Sequence, residues 1–362
     1  LKILIAPLDW GLGHTTRCIP LIQYFISEGH EVYAAAETAS AQLLRENFPA
    51  LPVFPLKGYR IFYSSNKATF SLKIAQQIPK ILSAISAEQK WLQQIQEEQK
   101  FDLIISDNRY GLYHKDVPSV ILTHQLQIQS GINQRMDNWV MKLHMRLIQK
   151  FNACWIVDEE SNDGYSGKLA HPERLPKDSA YIGLLSQFSD CEIDYNKAKK
   201  NNILILLSGP EPMRSMFESR LIAQARNLPE YEFVIVGGNP LGERVTGLPD
   251  FIKYYTHLNA ANLLIEMEAA GLVICRSGYS TIMDLALLQK KALLIPTPGQ
   301  SEQEYLSRFL IQKGAFHTVA ENLLNLKSDI MKAFESGPAK KPIPFVENMK
   351  KVIEPFMKKI KS

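Results

Sequence analysis

The sequence predicts an α/β chain of two doubly wound, Rossmann-like domains with a cleft between them. Three observations predict it. At 362 residues the chain exceeds a usual single domain, so two cores of ordinary size are expected. Short apolar runs alternate with helical segments, the pattern of parallel sheets covered on both faces. Small and polar residues follow nearly every apolar run, where open parallel sheets bind their ligands.

In the first half the expected strands are residues 2–6, 32–36, 103–105, 119–122 and 154–157. In the second they are 203–207, 233–236, 272–275 and 292–295. Helices fill the gaps, notably 71–99 and 133–151, whose apolar residues recur near a 3.6 period. Residues 183–202 carry a last short apolar stretch and then polar sequence ending in Lys199-Lys200-Asn201-Asn202, which reads as a linker. The expected domains are therefore 1–182 and 203–342. A proline-interrupted segment, 337–344, precedes an amphipathic helix in 343–362 that is expected to pack back on the first domain.

Composition removes several classes. With 46% hydrophobic and 22% charged residues the chain reads as soluble and globular, and no apolar run is long enough to span a bilayer. Residues 1–7 read as a buried strand entering a glycine-rich turn, without the basic region or cleavage site of a signal peptide, so a cytoplasmic location is expected. Cys18, Cys154, Cys191 and Cys275 have no metal-ligand spacing, and no Asp-X-Asp pair occurs, so no metal is expected. A net charge of +4 does not indicate a nucleic-acid binder. The basic end, 350–361, has two readings: a docked closing helix with its lysines in water, or a peripheral contact with the inner face of an anionic membrane.

The loops after the strands hold the candidate site. Gly11-Leu12-Gly13-His14-Thr15-Thr16-Arg17 allows close backbone approach, then opens a helix near Thr15 or Thr16 whose free amides favour an anion. His14 at its tip has the pKa range to take a proton from a hydroxyl, although a tight turn with a capping histidine explains the tripeptide equally well. Residues 276–281 repeat the logic. Gly278 admits a diphosphate, Ser280 and Thr281 supply hydroxyls, and Asp284 farther along either holds a ribose diol or complements the dipole. Ser208-Gly209 reads as a phosphate turn or as a plain strand-to-helix turn. Asp107, Asn108, Arg109 and His124 are the polar residues placed to meet an acceptor, with an ordinary Asx turn as the other reading of Asp107-Asn108.

With these loops in place, the chain resembles the MurG-type N-acetylglucosaminyltransferases of the glycosyltransferase-B superfamily. Arg276-Ser-Gly-Tyr-Ser-Thr-Ile-Met-Asp284 is similar to the family's Arg-Ala/Ser-Gly-X-X-Thr-X-X-Glu. The run from Ala292 through Pro296 to Gln303 and Tyr305 is similar to its Pro-X-X-X-X-X-Gln-Gln-Tyr segment. Ser208-Gly209 resembles its Gly-Gly-Ser loop, and Gly11 to His14 its acceptor-facing glycine loop. The resemblance implies a UDP-sugar bound mainly by the second domain and metal-independent inversion at the anomeric carbon, with no cofactor beyond the substrate itself. It implies Ser208, Gly209, Arg276, Gly278, Tyr279, Ser280, Thr281, Asp284 and Gln303 on the donor, and His14 as the base or as an acceptor-side hydrogen-bond donor. Gly11, Gly13, Arg17, Asp107, Asn108, Arg109 and His124 fall on the acceptor side. Asp284 replaces the usual Glu and Glu304 the second Gln, and residues 47–126 match nothing.

The expected partners are a nucleotide-sugar donor and an acceptor glycan, lipid-linked sugar or small molecule. Two alternatives stand beside transfer. One is a nucleotide-sugar hydrolase of the same fold, delivering water. The other is a non-catalytic nucleotide or glycan sensor.

Overall fold

The computed structural model describes residues 1–9, 11–59, 78–128, 134–209, 211–239, 242–338, 342 and 345–361. They divide into two compact units, Leu1–Ser189 with Pro342–Ser362, and Asp190–Lys341.

Unit 1 runs β1 (Lys2–Ala6), α1 (Leu12–Ser27), β2 (Glu31–Ala36), α2 (Thr38–Asn47), β3 (Val53–Pro55), α3 (Ile78–Gln99), β4 (Leu103–Asp107), β5 (Ser119–Thr123), α4 (Gln134–Ile148), β6 (Ala153–Ile156) and β7 (Ser179–Tyr181). Its seven strands lie in the order β3-β2-β1-β4-β5-β6-β7, all parallel. Ile3 is flanked by Val32 and Leu103, so β1 is central and wholly buried along Ile3–Ala6. That explains its unbroken apolar sequence: a strand covered on both faces has no solvent side to alternate with.

Unit 2 runs β8 (Lys199–Leu206), α5 (Met213–Ala225), β9 (Glu232–Val236), β10 (Ile252–Tyr255), α6 (Ala260–Ala269), β11 (Ala270–Cys275), α7 (Tyr279–Leu287), β12 (Ala292–Leu294), α8 (Ser301–Gln312), β13 (His317–Thr318) and α9 (Leu326–Glu335). The strand order is β10-β9-β8-β11-β12-β13, again all parallel. Both sheets thus reverse their winding direction once, beside β1 in unit 1 and beside β8 in unit 2. These are the topological switch points, where the loops leaving neighbouring strands part and open a crevice.

The last helix, α10 (Phe345–Lys361), belongs to unit 1. Met349, Ile353 and Met357 are buried, and the Phe356 ring meets Trp155 edge-on at 5.5 Å between centroids. Its apolar stripe is therefore spent on packing, while Lys350, Lys351, Lys358 and Lys359 remain exposed.

Several expected boundaries move. Residues 199–202, read as linker, open β8 and pair with Ala270 and Glu232, the exposed polar side chains of Lys199, Lys200 and Asn201 having hidden the strand. At the other end of that stretch Leu184, Leu185 and Phe188 are buried in unit 1. Helix α1 begins at Leu12, not at Thr15 or Thr16, because Gly11 caps it at φ 86°, a left-handed value a residue with a side chain rarely takes. Of the two helices expected at 71–99 and 133–151, residues 71–77 and 133 lie outside the described residues.

Candidate functional site

At the switch point of unit 1, the loop after β1 and the end of β4 bring His14 to Asp107. Nδ1 of His14 stands 2.9 Å from Asp107 Oδ2. Arg17, one turn along α1, lies beneath them. Its Nε donates to Asp107 Oδ2 at 2.9 Å and its second terminal nitrogen to Oδ1, while the first donates to His124 Nδ1 at 2.8 Å. Asp107 and Arg17 are both buried to within 1% of full burial, and the His14 side chain keeps 14% exposure. The imidazole is the member of the group that meets solvent.

The charges follow from this packing. Burial alone would raise the Asp107 carboxyl, but Arg17 and then His14 overcome it and hold it at about 2. Burial, and next the Arg17 guanidinium, push His14 below its usual pKa of 6.5 against the pull of Asp107. At neutral pH the group is a carboxylate, a guanidinium and a neutral imidazole. An imidazole that donates Nδ1–H to a carboxylate keeps a lone pair on Nε2, the state a general base needs.

Not every acceptor-side expectation joins this cluster. Arg109 is fully buried and points away, donating to the carbonyls of Pro7 and Lys57 and pairing with Glu88 at 3.0 Å. It braces the loops under the site and cannot meet an acceptor. Asp107-Asn108 does not form a plain Asx turn through its aspartate, whose oxygens go to Arg17 and His14. Asn108 itself takes the left-handed conformation, φ 53°. Gly11 stays exposed with nothing within 4 Å of where a Cβ would stand.

At the switch point of unit 2, the loops after β8 and β11 lie side by side. Gly278 caps α7 and, like Gly209, has open space where a Cβ would stand. The N-cap of α7 is a glycine, with no side chain of its own to cap the helix, and a helix N-terminus favours an anion. Ser208 and Gly209 are exposed and Ser280 and Thr281 half-buried beside this space, whereas Tyr279 is buried. Asp284 sits in the second turn of α7, not the first, and is 7% exposed.

Two donor-side expectations change role. The Arg276 guanidinium lies over the Phe217 ring, 3.7 Å from its centroid, pairs with Glu321 at 2.6 Å and donates to the carbonyls of Ile295 and Pro296. At 1% exposure it is a brace for the loop after β12 rather than a phosphate ligand. Gln303 accepts from the Thr297 amide at 2.8 Å, and Glu304 from the Gly299 amide at 3.1 Å. They shape the 297–299 turn, so Glu304 does in this chain a job a carboxylate can do. Sequence reasoning did not single out Thr297, whose buried hydroxyl has no hydrogen-bond partner among the described residues. Ser277, inside the 276–281 motif but given no role there, bonds the Gln303 carbonyl at 2.9 Å. Among the described residues no group of three or more His, Cys, Asp or Glu is placed to hold a metal ion, and no helix is long and apolar enough to cross a membrane.

Two doubly wound units, each carrying a loop pair at its switch point, give the chain the GT-B fold of solved glycosyltransferases. Residues 219–360 match the Glycosyltransferase family 28 C-terminal domain. Over 335 residues the chain is 23% identical to an "Uncharacterized glycosyltransferase" of Methanosarcina acetivorans, covering 87% of this chain and 84% of that protein. Over 162 residues it is 25% identical to the UDP-N-acetylglucosamine--N-acetylmuramyl-(pentapeptide) pyrophosphoryl-undecaprenol N-acetylglucosamine transferase of Coxiella burnetii, 42% of this chain and 44% of that one. Among solved structures it resembles the glycotransferase of kitacinnamycin, with TM-score 0.64 and 15% identity over 92% of this chain and 90% of that one. The spinosyn rhamnosyltransferase SpnG complexed with thymidine diphosphate follows at TM-score 0.59 and 17% identity, covering 93% and 90%. By these likenesses the chain is a glycosyltransferase, similar over part of its length to the MurG-type enzymes.

Proposed function

We propose that this enzyme transfers a sugar, N-acetylglucosamine being the leading candidate, from a UDP-sugar to a hydroxyl acceptor with inversion and without a metal. The observation that carries the reading is the His14–Asp107 pair: a neutral, solvent-reaching imidazole backed by a buried carboxylate at a switch point. Nε2 of His14 removes the proton of the acceptor hydroxyl as its oxygen attacks the anomeric carbon. The bond from that carbon to the diphosphate oxygen breaks, and the configuration inverts. The leaving diphosphate rests at the N-terminus of α7, with Gly278 and Gly209 giving its oxygens room and Ser280 and Thr281 donating to them. Asp284 is assigned to the ribose diol.

The donor assignment draws support from the relatives named for UDP-N-acetylglucosamine transfer, and a diphosphate from the neighbour solved with thymidine diphosphate. The acceptor's class is a hydroxyl beside His14. The test is incubation of the pure protein with UDP-sugars and a panel of hydroxyl acceptors. Transfer that His14→Ala abolishes while UDP binding persists supports the reading. Release of free sugar and UDP without acceptor replaces it with hydrolysis, and failure to bind any nucleotide overturns it.

A further inference from the structure

The His14–Arg17–Asp107 group holds a conflict that one more residue resolves. Nδ1 of His14 is 2.9 Å from Asp107 Oδ2, which can only accept, and 2.7 Å from an Arg17 terminal nitrogen, which can only donate. A single ring nitrogen cannot satisfy both. If it accepts from Arg17, the proton of the neutral ring moves to Nε2 and His14 has no lone pair to offer a hydroxyl. If it donates to Asp107, Nε2 is a base, but an Arg17 hydrogen loses its acceptor.

Asn108 supplies that acceptor. In the amide orientation that satisfies both its ends, Asn108 donates to Leu122 O at 3.2 Å and Thr123 Oγ1 at 2.9 Å, and its oxygen accepts from the same Arg17 nitrogen at 3.2 Å. The Asn108 backbone is left-handed at φ 53°, a conformation asparagine tolerates better than most residues. On the far side, Arg17 donates to Nδ1 of His124 at 2.8 Å, and a guanidinium has no other role to play there.

Resting on the assignment of His14 as base, we infer that Arg17 and Asn108 are positioning residues that sort the two histidines into opposite tautomers. Asn108 takes the Arg17 hydrogen that competes for His14, so His14 carries its proton on Nδ1 toward Asp107 and leaves Nε2 free of hydrogen. His124 accepts from Arg17 and carries its proton on Nε2. One buried guanidinium thereby makes one histidine a base and denies that role to its neighbour.

The experiment is nitrogen NMR of the full chain labelled with ¹⁵N-histidine, the two signals assigned by His14→Gln and His124→Gln, at a pH where both rings are neutral. The expected spectrum of the unmutated protein has His14 protonated at Nδ1 and His124 at Nε2. Asn108→Gly, which keeps a residue suited to the left-handed backbone, should move the His14 proton to Nε2. It should also lower kcat tenfold or more with the KM for donor unchanged. A His14 found protonated at Nε2 in the unmutated protein overturns the inference, as does a folded Asn108→Gly whose His14 tautomer stays put. The tautomers are read without turnover, so their failure is separable from failure of the transfer reading, which absence of sugar transfer alone would show.

Discussion

Nδ1 of His14 and Oδ2 of Asp107 meet at 2.9 Å across 93 positions of sequence, one from the first turn of a helix and the other from the last residue of a strand. The parallel order of the sheet makes the meeting: β1 and β4 are neighbours, so the loop after one overhangs the end of the other. Because Asp107 also neutralises the buried Arg17, its role is double, and its loss should register in both stability and rate.

Asp107→Asn leaves a buried guanidinium without its counter-charge, which should cost about 3–5 kcal/mol of stability. Turnover should fall by roughly 10²–10⁴ as His14 loses its orienting acceptor. Urea denaturation and initial-rate kinetics check the two. In the unmutated protein the depressed Asp107 pKa stabilises the fold above the ordinary carboxylate range. That contribution is lost as pH falls from about 4 toward about 2.

His144 predicts a different acid limb. It is buried between the Tyr110 hydroxyl, 3.1 Å from Nδ1, and the Gln125 carbonyl, 2.9 Å from Nε2, and burial lowers its pKa to about 4. The unfolded chain binds a proton near pH 6.5 that the folded chain refuses, so stability should fall as pH drops from about 6.5 to about 4, by an amount of order 3 kcal/mol. His144→Gln can keep both hydrogen bonds but cannot titrate. Its stability measured by urea denaturation should vary less across that window, and an unchanged slope would count against this assignment.

Arg276→Met separates bracing from phosphate binding. With the guanidinium gone, Glu321 loses its ion-pair partner and the Ile295 and Pro296 carbonyls lose a donor, so unfolding should become easier by about 3 kcal/mol. Denaturant melts read this. A variant of unchanged stability that has lost nucleotide affinity would return Arg276 to the donor.

Much of the fold was legible because the inner strands are buried on both faces and so read as unbroken apolar runs. The four strands that sequence reading passed over, β3, β7, β10 and β13, are the edge strands of the two sheets. They are short, and Ile252–Tyr255 alternates buried with exposed residues, a weak signal in so few positions. The loops of the site were legible from their place after strands. What each arginine does was not: Arg17 and Arg276 flank glycine-containing loops and Arg109 follows a strand, yet most of their partners lie far away in sequence and those of Arg109 and Arg276 include plain backbone carbonyls. Gln303 and Glu304 were legible as polar residues beside a turn, but not as the residues that hold it.

The most direct test of the account is calorimetric titration of UDP into the unmutated protein and into Gly278→Val. Gly278 has an ordinary backbone, φ −73° and ψ 138°, and open space above it, so the valine should leave the fold intact and occupy the place assigned to the diphosphate. Saturable UDP binding by the unmutated protein that weakens roughly tenfold or more, at least about 1.4 kcal/mol, in a variant of unchanged melting temperature is the predicted result. A folded Gly278→Val that binds UDP as well as the unmutated chain would contradict the site, and an unmutated chain that binds no nucleoside diphosphate would contradict the function.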